Sequence, residues 1–140
     1  MTLSLDSNVL IDLVNGSSNA VRANYDNAAM ADEQMAICAV AAHEVIFGAS
    51  ISARPKIQIA SALGLFESLS VVDWTREDAM VAAELRADLR RRGLPIGGFD
   101  MLIAGQALNR GWTLVTANTR EFNRVEGLQV EDWTRNRPHL

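Results

Sequence analysis

At 140 residues, 49% of them hydrophobic and with few Gly and Pro, the chain is sized for one domain with a sizeable core, which argues against disorder. A formal net charge of −4 argues against wholesale coating of nucleic acid, and a single cysteine, Cys38, excludes an internal disulfide and suits a reducing cytoplasm. No uninterrupted apolar run reaches membrane-spanning length and no basic leader precedes the first apolar segment, so a soluble, cytosolic single domain over residues 1–140 is expected, with no membrane partner.

The first element is a strand from about Leu3 to Asp6, running directly into a helix over Asn8 to Val14 that "NGSSN" ends with turn chemistry. A helix around Val21 to Ala31 precedes a strand at Met35 to Ala39, followed at once by a helix over Ala41 to Ala49. In "KIQIASALGLFESL", Ile59, Leu63 and Phe66 recur at helical spacing, so this reads as an amphipathic helix, and "SVVDW" as a short strand. "TREDAMVAAELRADLRRRG" carries the clearest ends: Thr75 and Asp78 form a short variant of the capping box, and Gly93 and Pro95 stop the helix. "GGFDMLIAGQALNRG" is a helix closed by Gly111, "WTLVTA" an apolar strand and "LQVEDW" the last strand. Strands alternating with helices predict an α/β fold whose central sheet is mainly parallel. In such sheets, ligands bind outside the carboxyl ends of the strands.

Several polar residues stand in apolar surroundings. Asp6 ends the first strand, Glu44 lies in "AVAAHEVIFGA", Asp100 is the lone acid of "GGFDMLIAGQAL", and Asn118 follows "WTLVTA". Each alone has an ordinary explanation: Asp6 as a helix cap, Asp100 as a partner of the helix dipole, Glu44 on a wet edge beside His43, Asn118 as a turn residue. Jointly, three carboxylates approaching one sheet edge would repel each other unless a cation lay between them. Oxygen ligands without a Cys or His cluster suit Mg²⁺ or Mn²⁺ rather than zinc.

The runs "LDSNVLIDL", "HEVIFGA", "GLPIGGFDMLIAGQAL" and "LVTANTREFNRVEGL", in that order, resemble the PIN-domain ribonucleases, and among them the bacterial VapC-type toxins. The resemblance covers nearly the whole chain. It implies a three-layer α/β/α fold and a metal-dependent endoribonuclease that leaves a 5′-phosphate and a 3′-hydroxyl. It also implies Mg²⁺ as cofactor, with Mn²⁺ able to substitute, held by Asp6, Glu44 and Asp100. Asn118 matches a position where many family members carry a fourth acid and many of the subgroup carry Asn. Thr116 matches the hydroxyl residue just before it, Asn8 and Ser7 the polar pair after the first Asp, and Glu121 is an auxiliary acid or an ordinary exposed one. The partners implied are structured RNA such as tRNA, a second copy of the chain in a homodimer, and a VapB-like antitoxin that places a basic side chain in the acidic pocket.

Two positions depart from the family pattern. Ala41 stands where Ser or Thr often precedes the Glu, which predicts a helix without a side-chain cap, and Asn rather than Asp at 118 removes one negative charge. Non-toxin RNA processing, or binding of RNA or a protein without cutting, are the alternatives on the same fold. Other phosphate-handling α/β domains fit poorly: one class needs a second Asp where Asn8 stands, and another needs a Lys after a late strand, whereas Lys56 is the only lysine. Of the remaining polar and aromatic residues, Trp74, Trp112 and Trp133 are assigned to packing. Arg120 and Arg124 lie near the proposed pocket, and the arginines from Arg86 to Arg92 form a solvated helix face able to touch phosphate.

Overall fold

The computed structural model describes residues 1–135 and Arg137. Five strands, β1 (Thr2–Leu5), β2 (Gln34–Cys38), β3 (Ser70–Val72), β4 (Thr113–Val115) and β5 (Gln129–Glu131), form one sheet in the order β3-β2-β1-β4-β5. Every pairing is parallel, so the expectation of a mainly parallel sheet is met in full. The register sets Ser4 between Ala36 and Leu114.

Seven helices connect the strands: α1 (Ser7–Asn15), α2 (Asn19–Met30), α3 (Ala39–Ser50), α4 (Pro55–Glu67), α5 (Arg76–Arg91), α6 (Gly98–Arg110) and the short α7 (Thr119–Phe122). From β1 the chain steps outward to β2 and β3, then returns across β1 to build β4 and β5. Right-handed crossovers in opposite directions put α1 to α4 on one face of the sheet and α5 and α6 on the other. The reversal opens a crevice between the carboxyl ends of β1 and β4, the place where such sheets bind ligands.

The core fills both sides of the sheet. Leu3, Leu5, Ile37, Leu114 and Val115 are buried along the strands, and Leu10, Leu89, Ile103, Phe122 and Trp133 close over them. Trp133 is fully buried with its indole donating to Glu131 at 2.7 Å, Trp74 donates to the Leu102 carbonyl at 3.0 Å, and Trp112 lies under the Arg110 guanidinium. The packing roles expected of the three indoles hold.

Two local details differ from the sequence reading. On α4 the stripe turned inward runs through Ile59, Ala62 and Phe66, while Leu63 is exposed. The helix is apolar on several sides, so spacing alone does not select the buried one. Asp6 lies just past β1 and serves as N-cap of α1, its carboxylate accepting from the Ser7 N–H. The capping box of α5 is present as expected, with Thr75 Oγ1 accepting from the Asp78 N–H and the Asp78 carboxylate accepting from the Thr75 N–H.

Candidate metal centre

The site is built by three chain breaks. Strand β1 ends at Leu5, so Asp6 turns its carboxylate into the crevice. Strand β2 runs straight into α3, and Glu44 sits in the second turn of that helix. Loop 93–97 delivers the first turn of α6, which carries Asp100. One carboxylate oxygen from each of Asp6, Glu44 and Asp100 lies within 4.8 Å of the others. The sequence-predicted triad thus meets in space, although its members are dozens of residues apart.

Asp6 is buried and held by three donors: the Ser7 N–H at 2.8 Å, Asn8 Nδ2 at 3.0 Å and Thr116 Oγ1 at 2.7 Å. The Thr116 hydroxyl also accepts from Asn8 Nδ2 and from the Asn118 N–H, and Asn8 Oδ1 accepts from the Ala117 N–H. This lattice staples the end of β1 to the loop after β4. Asn8 and Thr116 therefore act on Asp6 and through it on the site.

Glu44 and Asp100 are treated differently. Glu44 Oε1 is buried with no hydrogen-bond partner among the described residues. No side chain caps α3, since Cys38 at the N-cap and buried Ala41 offer none, as the Ala41 departure predicts. Gly97, at the N-cap of α6, has none to offer Asp100 either, and a Cβ at that position would lie 3.4 Å from the Asp100 carboxylate.

Electrostatics follow the geometry. Burial pushes the Asp6 carboxyl above its ordinary value, against the pull of Thr116, Ser7 and Asn8. Burial and then the neighbouring charge of Asp6 raise Glu44. Asp100 is pushed up to about 6, by burial first and then by the charges of Asp6, Glu44 and Glu121. Three carboxyls that resist ionisation together, one with an orphaned oxygen, have the chemistry of a site for a hard divalent cation.

Asn118 and Glu121 extend this cluster rather than join it. Asn118 Nδ2 donates to Glu121 Oε2 at 2.9 Å, and the Glu121 carboxylate lies against Asp100. Glu121 is thus more than an exposed turn residue, while Asn118 reaches the acids through it. Arg120 is exposed, and Arg124 is committed to the Pro95 carbonyl at 2.8 Å, so it braces loop 93–97. Sequence reasoning passed over Phe99, whose ring stands edge-on to His43 with centroids 5.5 Å apart, so that the neighbours of Asp100 and Glu44 also touch. Its only signal was a large apolar side chain beside a site acid.

A parallel α/β fold that gathers three carboxylates with raised pKa at its switch point has a site able to hold a metal ion and suited to phosphate-ester chemistry. Comparison with known proteins agrees. The PIN domain family matches residues 3–128. The chain is 38% identical over 130 residues to the tRNA(fMet)-specific endonuclease VapC of Shigella flexneri, covering 93% of this chain and 96% of that one. It superposes on VapBC2 of Rickettsia felis bound to a promoter DNA fragment with a TM-score of 0.89 at 28% identity, over 95% of this chain and 99% of that one. DNA-bound VapBC of Salmonella typhimurium gives a TM-score of 0.87 at 33% identity, over 95% and 98%. The chain belongs to the PIN-domain family and, within it, to the VapC ribonuclease toxins. It is an endoribonuclease. Among the described residues no helix is long and apolar enough to cross a membrane.

Proposed function

We propose that this endoribonuclease cleaves a structured RNA of the tRNA class, with Mg²⁺, or Mn²⁺ in its place, held by Asp6, Glu44 and Asp100. The observation that carries the reading is the cluster itself: three carboxylates within 4.8 Å, all with raised pKa, one oxygen unpartnered. A divalent ion held by these three acids would supply positive charge at the scissile phosphate and would lower the pKa of a water near neutral pH. The chain's own residues do the rest. Thr116 and Asn8 fix the Asp6 carboxylate so that its unpaired lone pairs face the crevice. Glu121, oriented by Asn118, keeps a fourth acid next to Asp100, and the loss of charge at 118 limits the site's total.

The tRNA class is supported by the name of the Shigella flexneri relative. Control by a VapB-like antitoxin is supported by the VapBC complexes that the fold matches, and a basic side chain from that antitoxin would find three carboxylates to pair with. Homodimerisation is supported by the exposed apolar residues Phe47 on α3, Ile51 just past its end, and Ile57 and Leu63 on α4, and a cytoplasmic setting by the free, buried Cys38.

The test is cleavage of total tRNA by the purified chain, free of antitoxin, with Mg²⁺, with Mn²⁺ and with EDTA, beside Asp6→Asn. Discrete products that need the ion and vanish in the variant are expected. Cleavage that survives both EDTA and Asp6→Asn overturns the metal assignment, and cutting of other RNAs in preference to tRNA overturns the substrate class.

A further inference from the structure

A groove of about 890 Å³ runs between α5 and α6 and ends at Gly98 and Phe99, immediately before Asp100. Ala79, Ala83 and Ala87 keep its α5 wall low. Beneath the floor the two helices are locked together: a Cβ on Gly105 would come within 2.6 Å of the Ala82 side chain, so only glycine permits this approach. The groove is therefore preformed.

Its charge is one-sided. In a chain of net charge −4, Arg86 and Arg90 are the only charged residues among the described ones that line the groove, and no described carboxylate lines it. Both arginines are exposed, and neither forms an ion pair among the described residues, whereas Arg92, at the C-cap of α5, is spent on Asp88. They stand one helical turn apart on a single face, about 6 Å along the axis. Phe99 is 49% exposed at the end nearest the acids, braced edge-on by His43. Free guanidiniums along an uncharged trough, with an exposed aromatic ring at the reacting end, match a nucleic-acid strand: phosphates on the rim and a base on the ring.

We infer that the α5–α6 groove is the path of the RNA strand flanking the cleaved bond, with Arg86 and Arg90 binding its phosphates and Phe99 stacking the base next to the scissile position. This rests on the reading of structured RNA as substrate. A surface for an acidic protein segment or for a second copy of the chain is the competing use of the same groove.

The experiment measures equilibrium binding of total tRNA to uncleaving Asp100→Asn protein across a salt series, with and without Arg86→Gln/Arg90→Gln or Phe99→Ala. Losing two phosphate contacts should flatten the log–log salt slope by about 1.4. Phe99→Ala should weaken binding roughly tenfold at every salt concentration, since stacking is not a charge effect. Arg86→Lys/Arg90→Lys should restore the slope, because a point charge still neutralises a phosphate. In otherwise wild-type protein the same changes should raise KM more than they lower kcat. An unchanged slope with both arginines removed overturns the assignment and leaves the substrate reading standing. Absence of any tRNA binding by Asp100→Asn protein overturns both. Sedimentation of the RNA-free variants is the further control: a mass that changes when the arginines are removed overturns the RNA path and gives the groove to a second copy of the chain.

Discussion

Two groups of acids in this chain, Asp78 and the cluster at the crevice, have opposite surroundings. Asp78, in the first turn of α5, is buried, and every oxygen it presents is met. It accepts from the Thr75 N–H at 2.9 Å, Gln106 Nε2 at 2.9 Å, Asn109 Nδ2 at 2.9 Å and Arg110 Nη2 at 3.1 Å. Burial works against ionisation there, but the Arg110, Gln106, Thr75 and Asn109 donors prevail and hold the carboxyl well below the usual range. At the crevice, burial first and then neighbouring carboxylates push Glu44 and Asp100 up. An acid surrounded by donors ties elements together, here α5 to α6. Acids set against acids store repulsion that a proton or a bound cation relieves.

The sharpest way to break this contrast is to remove one acid from each set. Asp100→Asn or Glu44→Gln should cut RNA cleavage by more than about 100-fold, beyond what losing an outer-shell partner costs. It should leave the metal-free fold as stable as wild type or more so, because a repulsion is removed. Asp78→Ala should do the reverse: a loss of about 3–5 kcal/mol on urea unfolding, since Arg110, Gln106 and Asn109 lose their shared acceptor. Equal destabilisation by both changes would erase the distinction.

Acid titration separates the two sets by sign. The folded pKa of Asp100, about 6, lies above the ordinary 3.8, so its contribution is fully present below about pH 4 and is lost as pH rises through 6. For Asp78 the folded pKa is lowered, so its contribution is present above the ordinary carboxylate range and is lost as pH falls through the depressed value. In EDTA, the melting temperature of wild type should therefore fall relative to Asp100→Asn between pH 4 and 7. Added Mg²⁺ or Mn²⁺ should reverse this in wild type and do little in the variant. Parallel pH profiles for the two proteins in EDTA would remove the repulsion argument.

The same contrast explains what the sequence makes legible. Asp6, Glu44 and Asp100 are visible because a charge in an apolar run needs a reason, and the alternation of strands and helices brings their positions to one edge. Asp78 is visible only as half of a capping box, because its other partners come from α6, 28 to 32 residues away. Gln106, Asn109 and Arg110 share a helix face, but nothing in their spacing says which element that face meets. Glu121 against Asp100, and Phe99 against His43, were hidden for the same reason. Leu63 was placed on the buried stripe of α4 because an almost uniformly apolar helix does not state which side faces in. Local order and the presence of an anomaly are written in the chain; the identity of a long-range partner is not.

Asp6 falls between the two sets, and the smallest expected effect tests it. It belongs to the acidic cluster, yet it has three donors and caps α1, and even so its carboxyl is raised because burial outweighs them. Thr116 is the shared joint: its hydroxyl donates to Asp6 while accepting from Asn8 and from the Asn118 N–H. Thr116→Val keeps the shape and removes those bonds. The Asn118 N–H loses its acceptor and Asp6 one donor of three, so a loss of about 1–3 kcal/mol is expected on unfolding. Activity should fall by about 10–100-fold, the range for an outer-shell partner of a metal ligand, with more Mg²⁺ needed for half-maximal rate. Thr116→Ser keeps the hydroxyl and should recover most of both. If Thr116→Val loses stability but keeps full activity at low Mg²⁺, the donors on Asp6 serve the fold alone, and Asp6 stands with Asp78 in what its hydrogen bonds are for.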